Sequence, residues 1–175
     1  MKKLSIILTL VIFIGASVSF AGEMMKISGK ITATFTDEQR VEIGDVEGHE
    51  IAFITSEGTN ASTGDMQFLE GAKVINYSMG DIHMGSGPQH GYIKVWNEND
   101  GMISKWEHEL VTVMTAEGMP STTFKGTFTY TGGMGKYAKI KGGGTYTGKF
   151  ISKTEYVVEW KGEYTLAKEM NLEKK

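Results

Sequence analysis

Three groups of side chains in this sequence could do chemistry, each through its spacing. The first centres on His108, in the run Ile103-Ser-Lys-Trp106-Glu107-His108-Glu109-Leu110-Val-Thr112-Val-Met114. An imidazole near neutral pH can hydrogen-bond the polar end of a ligand or act as an acid or base. Successive strand residues point to opposite faces, so His108 shares a face with Trp106, Leu110, Thr112 and Met114. Lys105, Glu107 and Glu109 point the other way. The imidazole is expected among apolar side chains, as a core or rim histidine or in the wall of a lumen. Glu107, Glu109 and Glu159 are the nearest candidate catalytic carboxylates. Their alternation with lysines and other acids reads as a solvated outer face.

The second group is Asp81, His83 and His90, in the glycine-rich stretch Gly80 to Gly91. These are metal-ligand types, but a six-residue gap between histidines in a loop is no known ligand rhythm. A mobile loop controlling access to a site is the plainer expectation. The third is Gly133-Met134-Gly135-Lys136-Tyr137-Ala138, which spells the G-x-G-x-x-A of a dinucleotide-binding turn. Such a turn needs a helix of several turns behind it, whose N-terminus faces the pyrophosphate. Here only Lys136 to Lys141 could be helical before Gly142-Gly143-Gly144 stops it. The Walker spelling fails as well, because Tyr137 follows Lys136. No G-x-S-x-G serine motif is present. The glycines are expected to end one strand and let the next begin.

The elements that must hold these residues are almost all strands. Tyr156, Val158, Trp160, Gly162, Tyr164 and Leu166 alternate with Val157, Glu159, Lys161, Glu163 and Thr165. Phe124, Gly126, Phe128 and Tyr130 likewise oppose Thr123, Lys125, Thr127 and Thr129. That is period two, with one apolar and one mostly polar face. Met25 to Thr36, Arg40 to Val46 and Glu50 to Thr55 read as separate strands, and Ser56 to Asp65 as a polar loop. Asp100-Gly101 supplies a hairpin turn. Helix signals are confined to Asp65 to Gly71 and the tail from Ala167. About eight strands with short connections predict an all-β fold, an antiparallel barrel or sandwich. Interior glycines such as Gly126 and Gly162 suit coiled barrel strands.

Met1 to Ala21 has the form of a secretory signal peptide. Lys2 and Lys3 precede the apolar run Leu4 to Ile14, and Ser19 and Ala21 are small residues at the cleavage positions. The run is too short for a bilayer span of about 20 residues. There is no cysteine for disulfides or lipid attachment. One barrel domain over residues 22–175 is expected, exported to the periplasm or beyond without a membrane anchor. The 18 basic residues less Lys2 and Lys3, against 21 acidic ones, leave it at net −5. With Arg40 its sole arginine, it is a poor match for nucleic acid.

Phe128-Thr-Tyr130-Thr-Gly-Gly133-Met-Gly135-Lys-Tyr137 and Ile140-Lys-Gly-Gly-Gly144-Thr-Tyr146 resemble the strand–turn–strand signature of the allene oxide cyclase and dirigent barrel group. Gly85 to Tyr92 resembles bacterial members of it. The resemblance implies an eight-stranded, calycin-like antiparallel barrel with an apolar cavity, often assembled as a homotrimer. Plant allene oxide cyclases use a cavity-wall carboxylate; none aligns here, so no catalytic residue is carried over. The residues expected at a ligand site are Trp106, His108, His90, Tyr92, Phe128, Tyr130 and Trp160. The expected partner is one small apolar molecule, with no cofactor and no metal. A cofactor-free isomerase or cyclase, or a structural barrel filled by its own side chains, are the alternatives. The many methionines, among them Met84, Met114 and Met119, suit a loosely specific apolar pocket or an irregular core.

If the N-terminal reading holds, the exported protein begins at Gly22. Intact-mass measurement of the secreted chain checks this, and a mass retaining residues 1–21 would refute it.

Overall fold

Eight strands with one apolar face each can bury all of those faces at once by closing on themselves, which also removes exposed sheet edges. The structure, a computed structural model describing residues 22–166, does this. The strands are β1 (Met25–Glu42), β2 (His49–Ser62), β3 (Lys73–His83), β4 (Gly87–Trp96), β5 (Gly101–Met114), β6 (Pro120–Met134), β7 (Ile140–Phe150) and β8 (Glu155–Leu166). Each pairs antiparallel with its sequence neighbours, and β1 pairs with β8 from Met25↔Tyr164 to Thr34↔Glu155, giving a closed barrel. Residues 1–21, read as a signal peptide, and any turn from Ala167 lie outside the described residues.

Three expectations about the strands are corrected. Met25–Thr36 and Arg40–Val46 are not separate strands, since β1 runs on to Glu42 across an irregularity between Phe35 and Asp37. Ser56–Ser62 is strand rather than loop. Its polar residues belong there because Ser56 and Asn60 are buried and hydrogen-bonded inside the barrel. Gly80 to Gly91 is no loop either. It is the end of β3, a tight turn and the start of β4, closed by His83 N→Ser86 O at 2.7 Å and Ser86 N→His83 O at 3.0 Å.

The two barrel ends differ. At one end the β2–β3 connection turns inward and puts Phe68, 1 % exposed, in the opening. Its ring lies 4.9 Å from Tyr137, 5.3 Å from Tyr164, 5.9 Å from Trp160 and 6.2 Å from Tyr130. Asn60 holds this plug from inside, its amide donating to the carbonyls of Phe68 and Leu69, both at 2.9 Å. The dinucleotide-like glycines lie at the same end. They form a strand end and one 3-10 turn, Gly135–Tyr137, before β7 begins. The Lys136 amide, which a phosphate would need, donates instead to the Asp100 carboxylate at 2.9 Å.

At the opposite end the strands overrun the barrel. Asp37–Glu42 of β1 pairs with β2 beyond the last β8 partner, and Val111–Met114 of β5 pairs with β6 beyond the last β4 partner. These ribbons and the β3–β4 and β7–β8 turns surround an open funnel of about 610 Å³, with Met84, Met119, Leu110 and Ile151 on its walls.

Phe68→Ala is expected to destabilise the fold by about 3–5 kcal/mol, because the cavity it leaves is walled by rings that cannot collapse. Urea unfolding measures this; a loss under 1 kcal/mol would show that the plug does not support the barrel.

Candidate functional site

Between plug and funnel the lumen keeps a cavity of about 100 Å³. Its wall is set by register. Gln89 on β4 pairs with His108 on β5, His108 with Gly126 on β6, and Gly126 with Tyr146 on β7. These four residues form one row across the sheet, all on the inner face. Gly126 makes the row possible. A Cβ there would sit 2.1 Å from the Glu107 carbonyl and 2.7 Å from the Tyr146 hydroxyl. Its absence lets the tyrosine reach over to the histidine.

His108 is held on every side. Its ring stacks between Trp106, 4.9 Å away and tilted 23°, and Phe124, 4.6 Å away and tilted 25°. Nε2 lies 3.0 Å from Gln89 Oε1, which can only accept, so Nε2 carries the proton. Nδ1 then accepts from the Tyr146 hydroxyl at 2.9 Å, a shorter contact than the 3.2 Å from that hydroxyl to the Glu107 carbonyl. Burial lowers the imidazole pKa from 6.5 to about 4. It therefore stays neutral at physiological pH. Burial likewise pushes the Tyr146 and Tyr130 phenols above the ordinary range.

A second network crosses the lumen on the β1–β2–β3 side. Trp106 Nε1 donates to Asn76 Oδ1 at 2.7 Å, and the Asn76 amide donates to the Tyr156 hydroxyl at 3.3 Å. That hydroxyl is 2.6 Å from Ser56 Oγ. Trp160 Nε1 donates to Asn60 Oδ1 at 3.0 Å. Both indoles thus have a partner inside an otherwise aromatic and aliphatic wall.

Of the seven residues expected at a ligand site, the structure brings Trp106, His108, Phe128, Tyr130 and Trp160 to the lumen wall. It places His90 and Tyr92 on the outer surface, Tyr92 49 % exposed, and neither belongs to the lumen. The reason is parity: in β4 the inward positions are Gln89, Gly91, Ile93 and Val95. Glu107, Glu109 and Glu159 are exposed. The Asp81, His83 and His90 set does not assemble. Asp81 accepts from His49 Nε2 at 2.7 Å, His83 donates to the Glu47 carbonyl at 3.1 Å, and His90 is on the outer wall of β4. Among the described residues no group of three or more His, Cys, Asp or Glu is placed to hold a metal.

Sequence reasoning passed over Gln89, Asn60, Asn76 and Tyr146. Gln89 was hidden in a stretch read as loop, and its parity with Val95 is the signal that identifies it. Asn60 and Asn76 each open a glycosylation-type sequon, Asn60-Ala61-Ser62 and Asn76-Tyr77-Ser78. Asn60 is 2 % exposed inside the barrel and out of reach of such modification in the folded protein.

No known family model matches the chain, and no curated protein does. Among solved structures, a pterocarpan synthase dirigent protein matches at 12 % identity and a TM-score of 0.47, covering 95 % of this chain and 98 % of that one. The barrel assignment rests on this chain's own strand pairing.

His108 binds its proton less readily in the folded barrel than in the unfolded chain. As pH falls from about 6.5 to about 4, the unfolded state takes up the proton first and stability drops, by about 3 kcal/mol at most; above 6.5 the group contributes no pH dependence. His108→Gln should flatten this part of the stability–pH curve. Parallel denaturation from pH 7 to pH 4 tests it; identical slopes for both proteins would contradict a buried neutral imidazole.

Proposed function

We propose that the protein is an exported barrel that binds a small, largely apolar molecule in its lumen and releases it unchanged. The observation supporting this reading is the asymmetry of the two ends. One is sealed by the Phe68 cluster, and the other opens through a funnel of mixed apolar and polar wall onto a cavity of about 100 Å³. A barrel of eight strands has room for side chains plus one small ligand, and an apolar cavity with a few convergent polar groups is the usual form of a binding site. A barrel that served only as a structural block would need neither the cavity nor the opening. Export is supported by the form of residues 1–21.

The isomerase or cyclase alternative needs an acid–base pair at the reacting atoms. Among the described residues the titratable groups on the lumen wall are His108 and tyrosines, with no carboxylate. His108 is neutral with both nitrogens engaged, and burial makes the Tyr146 hydroxyl harder to ionise. Such a wall orients a guest better than it transfers protons, and binding is the reading we adopt.

Small aromatic and short-chain probes should raise the melting temperature and change the emission of Trp106 and Trp160, which border the cavity. Val158→Phe, which fills the cavity from β8, should abolish both responses at a stability cost of about 1–3 kcal/mol. Probes that leave the melting temperature of the wild type untouched at millimolar concentration would end the binding reading.

A further inference from the structure

The polar atoms of the lumen are almost all committed to one another. Both amide protons of Asn60 go to the plug carbonyls, and its oxygen accepts from Trp160. Asn76 bridges Trp106 and Tyr156. Ser78 donates to the Ile54 carbonyl and Ser104 to the Met102 sulfur. Among the described residues that line the lumen, two have a polar atom without a protein partner. One is the Tyr130 hydroxyl, which lies at the sealed end beside Phe68 and Phe128. The other is the amide nitrogen of Gln89.

Gln89 is the more telling of the two. It is only 8 % exposed, yet half of its amide is unused. Its oxygen faces His108 Nε2 at 3.0 Å, which leaves the nitrogen as the free half of the amide. Among the described residues every side-chain nitrogen or oxygen fully shielded from solvent has a partner, so this nitrogen is still reached by solvent and open to the space it borders. Gln89 also lies where lumen and funnel meet. Four residues border both spaces, and the other three, Phe35, Ile54 and Phe150, are apolar. A single amide NH2 group, with both protons free, therefore stands in an otherwise apolar throat.

Charge and size narrow what could meet it. Among the described residues no Asp, Glu, Lys or Arg lines the lumen. Of the two cations at the funnel, Arg40 is already engaged by Glu38 and Glu50, and Lys153 sits on the β7–β8 turn at the rim. An ionised group carried to the throat would lose its hydration with no counter-charge. The lumen's volume of about 100 Å³ is roughly two-thirds of a cavity known to take benzene. A longer body must stay in the funnel.

We propose that Gln89 determines specificity: its amide nitrogen donates a hydrogen bond to an uncharged acceptor, a carbonyl or ether oxygen, on an otherwise apolar ligand lying across the throat. A short group of that ligand enters the lumen, and the remainder lies along the funnel. His108 and Tyr146 are positioning residues, holding the amide so that it presents nitrogen and not oxygen. This inference rests on the binding reading above.

Four probes of similar size separate the possibilities: acetophenone (acceptor), ethylbenzene (neither donor nor acceptor), indole (donor without acceptor) and benzoate (anion). Calorimetric titration of each into wild type, Gln89→Leu and Gln89→Met gives the dissociation constants. Because the probes differ in hydration, the readout is the change in their ratio between proteins. The acetophenone advantage over ethylbenzene should shrink roughly 5- to 10-fold in both variants. Benzoate should bind wild type at least about 10-fold more weakly than acetophenone. A ratio that does not change between wild type and the variants overturns the assignment while leaving lumen binding intact. So does preferential binding of indole that is lost in the variants, since it would mean that the amide presents oxygen. If none of the four binds wild type, the binding reading falls and this inference with it.

Discussion

Pairing of β1 with β8 is the constraint from which the rest of the molecule follows. While the sheet is open, the inner face of each strand can be covered by another layer or left wet. Once β1 and β8 join, that face is enclosed, and every inward side chain must find both space and hydrogen-bond partners among the other seven strands. The lumen is correspondingly crowded. Indole, phenyl, phenol and imidazole rings stack and tilt against one another at centroid separations of 4.6–5.9 Å. Among the described residues, no buried side-chain nitrogen or oxygen fully shielded from solvent lacks a partner.

Glycine is how the barrel makes room for those rings. Gly29 pairs with Trp160 and Gly91 with Trp106, and Gly148 lies under the Phe124 ring. A Cβ at these glycines would come within 2.2–2.7 Å of the ring atoms. Each large ring thus lies over a neighbouring strand that has no side chain at that point. A ring over a strand glycine covers backbone that would otherwise be open, and it lets the strands coil tightly. The same device serves the row Gln89–His108–Gly126–Tyr146, where one missing methyl group permits the hydrogen bond between Tyr146 and His108.

Charge is sorted by the same closure. The wall carries its lysines and glutamates outward, and among the described residues none puts a formal charge in the lumen. An imidazole placed in that wall has no carboxylate to favour its cation, and desolvation lowers its pKa. The outer histidine His49 shows the opposite response. Gripped between Asp45 at 2.6 Å and Asp81 at 2.7 Å, it is raised above its ordinary value, hydrogen bonds to the two carboxylates being the largest cause. Two histidines of one small barrel are pushed apart by what closure places around each.

The sequence by itself determined the strand character and the sidedness of most strands, because period two is a local property that needs no partner. It placed His108 and Trp106 inside, Glu107 and Glu109 outside, and rejected the glycine-rich stretch as a phosphate cradle. It failed where the pattern is interrupted or polar. β1 crosses a bulge, the end of β2 is written in Ser, Thr and Asn, and the β3–β4 turn is so rich in glycine that Gln89 was read as loop. His90 was misplaced with it, and Tyr92 because period two tells which residues share a face but not which face turns inward. What only the tertiary structure decided is which inward residues meet. The Gln89–His108–Tyr146 row comes from three strands and depends on register. The sealed and open ends depend on a connection that folds back into the barrel. Register and end closure are set by contacts between residues far apart in the chain, and one-dimensional periodicity carries no record of them.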